Sequence, residues 1–173
     1  MGKEFNRIYD NNKNAVYSYL YYMTKTTEDA EDLCQETFFK IYRNLKSYRG
    51  ECSERSWCIT IARNTFLSWV RKRKVAEELN NEMEQLPSGS GSNPELRMLR
   101  LEEREIIKKV LLQLKEEYRT ILLLRDYEQL SYNEIQEVTG LSESAVKVRI
   151  YRARGKYKKM YTAYVEGGDN YVM

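Results

Sequence analysis

The stretch that decides the fold is Ser131–Lys159, SYNEIQEVTGLSESAVKVRIYRARGKYKK. Ser131 with Glu134 three residues on is a capping-box pair, so a helix starts there. Ile135 and Val138 give it one apolar face, and Thr139-Gly140-Leu141 stops it, because Gly140 takes a left-handed conformation without steric cost. Ser142 then caps a second helix, with Glu143 favourable in its electropositive first turn. Along that second helix Val146 and Ile150 point inward. Lys147, Arg149, Arg152, Arg154, Lys156, Lys158 and Lys159 crowd the rest, against the single acid Glu143. Two helices joined by a glycine-containing turn, the second strongly cationic, form a helix-turn-helix that sets a recognition helix in a DNA major groove. A solvated hairpin whose charges meet only water is the plainer alternative. The one-sidedness of the charge, together with two sharp caps, favours DNA.

Working outward, the 173 residues suffice for one ordinary domain or two small ones. With 32% charged and 12% aromatic residues the chain reads as folded, with wet surfaces, and its net charge of +3 says less than the segregation of acids and bases along it. No apolar run is long enough to span a bilayer, Met1–Asp10 lacks the apolar core of a signal peptide, and Asn6 rules out a myristoylation pattern after Gly2. No membrane insertion and a cytoplasmic location are therefore expected. Cys34, Cys52 and Cys58 have no CxxC spacing, and there is no histidine. No metal site, histidine-based acid/base chemistry, catalytic residue, cofactor or small-molecule substrate is expected, and the thiols read as small apolar residues in a reducing compartment.

Helical three-and-four spacing recurs through the remaining chain. Phe5, Ile8, Tyr9, Ala15, Val16, Tyr19, Leu20 and Met23 define a first helix. Thr26-Thr27 breaks it and caps a second, about Glu28 to Lys46, with Leu33, Phe38, Ile41, Tyr42 and Leu45 apolar. After the Ser47–Glu51 loop, Ser53 can cap a third helix, roughly Glu54 to Lys74, carrying Trp57, Ile61, Ala62, Thr65 and Trp69. Its later part holds Arg63, Asn64, Arg71, Lys72, Arg73 and Lys74 with no acid. Aromatic rings such as Phe66 beside cations suit stacking on unpaired bases and holding phosphates, and a core helix with a basic tail fits equally well.

Residues 76–100 turn acidic and then become LPSGSGSNP, with both prolines of the chain, and read as a flexible linker. Helix returns at Glu95 to about Lys115, and Glu116–Tyr127 adds an apolar patch to pack under the helix-turn-helix. The tail after Tyr161 reads as irregular, with 166–173 disordered. No strand alternation occurs. The fold class is all-α: two small helical domains on a flexible tether, residues 1–75 and 101–165.

In this order the motifs resemble those of the extracytoplasmic-function sigma factors, the small two-domain members of the sigma-70 family of bacterial RNA polymerase subunits. Asp32-Leu33-Cys34-Gln35-Glu36-Thr37-Phe38 is similar to the family's D-L-x-Q-E-x-F helix. Tyr48-Arg49-Gly50 is similar to its aromatic-Arg-Gly segment, and Trp57 with Ile61-Ala62-Arg63-Asn64 to its W-x-x-x-I-A-x-N core. Arg125–Ile135 and Val146–Arg154 look like its second domain. The resemblance implies a non-catalytic subunit that directs core polymerase to promoters. Asp32, Gln35, Glu36 and Phe38 would face core polymerase, whose β′ clamp helices and β subunit are the implied partners. Tyr48, Arg49, Arg63, Asn64, Arg71, Lys72 and Arg73 would bind the −10 element as single strand. Ser142, Ser144, Lys147, Val148, Arg149, Tyr151, Arg152 and Arg154 would bind the −35 duplex, with Lys147, Val148 and Tyr151 toward bases. A cognate anti-sigma factor is implied as a further partner. Gln136, Val148 and Ser68 depart from the family's usual Ala, Ser and Asp. A free-standing helix-turn-helix regulator fits Ser131–Lys159 alone, and leaves Asp32–Phe38 without a role.

Overall fold

The structure, a computed structural model, describes residues 2–79 and 96–168, with side chains for 2–75 and 103–166. The described residues are helices and turns throughout. Helix α1 (Gly2–Met23), α2 (Thr27–Asn44, followed by a 3-10 turn at Leu45–Ser47) and α3 (Glu54–Leu79) form the N-terminal half. Helix α4 (Leu96–Gln113), α5 (Glu116–Leu122), α6 (Tyr132–Thr139) and α7 (Glu143–Gly168) form the C-terminal half. Of the expected linker, 76–79 continue α3, 96–100 begin α4, and the segment between lies outside the described residues. The irregular tail expected after Tyr161 is instead helix up to Gly168, because the apolar spacing of Tyr157, Tyr161, Tyr164 and Val165 carries α7 onward; residues 169–173 are outside the described set.

The caps behave as the sequence predicts. The Thr26 hydroxyl accepts the Asp29 N–H at 3.0 Å and starts α2. Ser53 accepts the Ser56 N–H at 3.1 Å at the start of α3. Ser131 and Glu134 close a reciprocal capping box on α6, Gly140 ends it with φ +72°, and Ser142 accepts the Ala145 N–H at 3.3 Å to begin α7. One element is new. Leu123–Tyr127 widens into a π-helical turn, in which the Glu128 N–H reaches the Leu123 carbonyl at 2.8 Å, and Gln129 adopts φ +59° to turn the chain into α6.

In the N-terminal half, Ile8, Val16, Tyr19 and Leu20 of α1 pack with Leu33, Phe38 and Ile41 of α2 and Cys58, Ile59, Ala62 and Phe66 of α3. In the C-terminal half Val110, Leu111, Ile121, Leu124, Ile135, Val138, Val146, Ile150 and Ala153 are buried. The two halves also pack on each other, which the tethered-domain reading does not anticipate. Arg119, on α5, donates to the Met23 carbonyl at the end of α1 (2.8 Å) and to the Leu114 carbonyl (3.2 Å). The Tyr21 hydroxyl donates to Glu105 at 2.7 Å, and the Lys108 ammonium lies 3.7 Å from the centre of the Tyr21 ring, its pKa lowered by burial. Helix α6 lies against α3.

Candidate nucleic-acid and polymerase interfaces

Helix α7 separates its faces cleanly. Val146, Ile150 and Ala153 are buried, while Val148 is 48% and Tyr151 82% exposed. Two exposed apolar side chains flanked by Lys147 and Arg152 have the chemistry to meet thymine methyls and base edges. Lys147 is held by Glu143 one turn back at 2.6 Å and lies 5.5 Å from the Tyr132 ring, so its ammonium is oriented over the shallow trough along α7. Ser142 and Ser144 are exposed at the helix start, their hydroxyls 3.2 Å apart. The trough continues past Tyr151, Arg152, Lys156, Lys158 and Lys159. Two expected phosphate contacts are differently engaged. Arg154 forks onto Asp126, with Nε 3.0 Å from Oδ2, and Arg149 leans back toward Glu117 at 3.9 Å. Arg152 is exposed and has no ion-pair partner among the described residues.

On α3 the sequence-derived set divides. Asn64, Arg71 and Lys72 are exposed, and Arg73 is oriented by Asp29 at 3.5 Å and by the Trp69 ring at 5.1 Å. Arg49 is exposed beside Gly50, whose φ of +72° lets the loop turn sharply. Tyr48 packs its ring 4.8 Å from Trp57 and donates its hydroxyl to the Cys52 carbonyl at 2.8 Å. That contact presets the loop in front of α3. Phe66, only 4% exposed, belongs to the core and does not present a stacking face. Arg63 points at α6, donating to the Val138 carbonyl over a long 3.5 Å, with its Nε buried and unpartnered. In this arrangement Arg63 faces protein rather than solvent.

Helix α2 presents Asp32, Gln35 and Glu36 to solvent, Glu36 paired with Lys40 at 2.6 Å. Phe38 does not join them. It is 6% exposed and packs edge-on to Tyr9, ring centres 4.7 Å apart, because it follows the buried Leu33 and Thr37 stripe. The ring on the open face is Phe39, 60% exposed, with the Arg43 guanidinium 5.7 Å from its centre. Periodicity could have found it: 32, 35, 36, 39 and 43 share one face at three-and-four spacing. The motif drew attention to its neighbour instead.

Comparison with known proteins gives two family matches in the same order as these surfaces: Sigma-70 region 2 over residues 8–75 and Sigma-70, region 4, over residues 104–156. The RNA polymerase sigma factor YlaC of Bacillus subtilis is 38% identical over 150 residues, covering 85% of this chain and 86% of that protein. The chain belongs to the extracytoplasmic-function sigma factors. As a sigma factor it directs core RNA polymerase to promoters and initiates transcription. The ECF sigma factor SigM of B. subtilis is 32% identical over 89% of this chain and 93% of its own length, and the sigma-E factor of Escherichia coli 35% identical over 73% and 70%. Among solved structures, Bartonella quintana RpoE in complex with the anti-sigma factor NepR superposes with a TM-score of 0.79 at 23% identity, over 92% of this chain and 98% of that one. CnrH in complex with the cytosolic domain of CnrY gives 0.70 at 23% identity, over 94% and 90%. Both share the fold. Sigma factors are regulatory subunits of RNA polymerase. No described helix is long and apolar enough to cross a membrane.

Proposed function

We propose that this sigma factor grips promoters at two points, with residues 1–75 binding core polymerase and the −10 element as single strand, and residues 101–165 reading −35 as duplex. The observation that carries the second half of this reading is the exposed face of α7. Lys147, Val148 and Tyr151 point away from a buried Val146–Ile150–Ala153 seam and so can enter a major groove without disturbing the core. Ser142 and Ser144 at the helix start, with Arg152 along it, supply phosphate contacts. Arg149 and Arg154 act on phosphate after leaving Glu117 and Asp126. On α3, exposed Asn64 reads an unstacked base beside Tyr48, while Arg49, Arg71, Lys72 and Arg73 hold the strand, joined by Arg63 once α6 moves away. Asp32, Gln35, Glu36 and Phe39 meet the β′ clamp helices in the cytoplasm. An anti-sigma factor is a natural second partner, as NepR is for the sigma factor RpoE of Bartonella quintana.

The test is transcription. Purified chain is added to core polymerase on a promoter template, with a gel shift of the free chain on the same duplex. Promoter-dependent transcripts that require the chain are expected, with weak duplex binding by the chain alone. Tight specific binding without any stimulation of core polymerase defeats the reading and favours a free-standing regulator, for which the Asp32–Phe39 face has no use.

A further inference from the structure

The first turn of α3 is occupied by carboxylates from the other half of the chain. Ser53 donates its hydroxyl to Glu134 Oε1 at 2.6 Å, and the Ser56 hydroxyl lies 3.2 Å from the same oxygen. Arg55 forks onto Glu128 Oε2 through Nε at 3.0 Å and Nη2 at 2.5 Å. Around this point the chain offers two hydroxyls and a guanidinium at the start of a 26-residue helix, and the acid there, Glu54, is turned aside to Arg7 (2.8 Å) and Asn12 (2.9 Å). This is the chemistry that holds a phosphate.

Glu134 divides its oxygens between the two halves: Oε2 accepts the Ser131 N–H and hydroxyl at 2.8 Å each, and Oε1 is turned to Ser53 and Ser56. The other carboxylate is imperfectly satisfied. Glu128 has a side chain only 1% exposed, yet its Oε1 has no hydrogen-bond partner, and burial pushes its carboxyl above the ordinary value despite Arg55. A buried carboxylate oxygen without a partner is costly. Glu128 is held there by the Arg55 guanidinium, itself half exposed.

We propose that Ser53, Arg55 and Ser56 form a seat for a backbone phosphate of single-stranded promoter DNA, which Glu128 and Glu134 fill as intramolecular mimics while the two halves are packed together. The inference rests on the sigma-factor reading and extends it: DNA and α6 compete for one site. The competition has a geometric side. The −10 and −35 elements lie roughly 25 base pairs apart, about 85 Å at about 3.4 Å per pair, whereas α3 and α6 touch here. Reading both elements at once therefore empties the seat of carboxylate and frees Arg63 from the Val138 carbonyl.

The experiment is equilibrium binding of the full chain to fluorescein-labelled single-stranded oligothymidylate over a salt series, since a phosphate seat is indifferent to base. Glutamine keeps the size of glutamate and serves at the third position of a capping box, so Glu128→Gln with Glu134→Gln preserves α6. That double variant is expected to bind the oligonucleotide at least about fivefold more tightly than the natural chain, because the seat no longer holds a charged competitor. Arg55→Ala in the double-variant background is expected to remove the gain and to lower the salt slope by about one. Unchanged affinity in the double variant, or an unchanged slope on removing Arg55, overturns the proposal. Should the double variant misfold by circular dichroism, Glu134→Gln alone carries the same expected direction. A chain that drives promoter-dependent transcription while these variants leave oligonucleotide binding unmoved sinks the phosphate seat and leaves the sigma-factor reading standing.

Discussion

Phe38 and Phe39 are neighbours in sequence and opposites in the fold, and truncating each in turn separates polymerase docking from stability. Phe39 is 60% exposed. An aromatic side chain buries about 200 Å² when fully covered, so docking against polymerase removes about 120 Å² of this ring from water. At about 25 cal/mol per Å² that is about 3 kcal/mol, and immobilising the ring returns about 1 kcal/mol, leaving about 2 kcal/mol. Phe39→Ala is therefore expected to weaken binding to core polymerase roughly 30-fold, with little change in melting temperature. Phe38→Ala removes a ring 6% exposed and packed on Tyr9, and is expected to cost about 3–5 kcal/mol of folding stability. Fluorescence anisotropy of labelled chain titrated with core polymerase, beside thermal melts of both variants, gives the two readouts. Full polymerase affinity in Phe39→Ala, or a melting loss as large as that of Phe38→Ala, refutes the assignment of this face.

Three further outcomes follow from other contacts. Lys147→Ala is expected to change −35 preference in a promoter library with a modest overall loss, whereas Arg152→Ala weakens all duplexes alike and lowers the salt slope by about one. Gly140→Ala meets no atom within 4 Å, so only its φ of +72° opposes the substitution, and a loss of about 1 kcal/mol is expected by chemical denaturation. Glu134 is held near a pKa of about 2, below its ordinary 4.5, by the hydroxyl of Ser53 first and by Ser131 and Ser56. Its contribution is thus complete above about 4.5 and is lost as pH falls from there through about 2. Glu128 is shifted the other way, so the difference between the natural chain and Glu134→Gln isolates the effect: acid denaturation over that range should flatten in the variant, and parallel curves would contradict the assigned bonds.

How much of this was legible in the sequence depends on how local its cause is. The capping box at Ser131 and Glu134, the left-handed Gly140 and the Ser53 and Ser142 caps are set by residues within one turn, and each is where the chain announces it. Phe38 and Phe39 required the rotation of α2 to within a third of a turn, finer than a motif match supplies. The contact of α6 with α3 was beyond reach for a different reason. Glu134 and Ser53 each satisfy a complete local role as caps, and nothing in either signature signals that they also bond to each other across 81 positions. Arg63 and Arg149, placed on DNA by the family resemblance, lean on Val138 and Glu117 for the same long-range reason.

The widened turn at Leu123–Tyr127 sets how this chain tolerates length changes. A π-helical turn holds one residue more than the α-helix it interrupts, and each residue in a helix turns the chain by about 100°. The widened turn spreads that extra residue over a single turn, so deleting one residue between Leu123 and Tyr127 would let the segment relax to ordinary helix while the flanking turns keep nearly their rotation. A deletion within α5, in ordinary helix, would instead turn everything downstream by about 100° and aim a well-formed helix-turn-helix in the wrong direction. A gap at Leu123–Tyr127 in a related chain is thus compatible with the same orientation of its second half, whereas a gap one turn earlier is not.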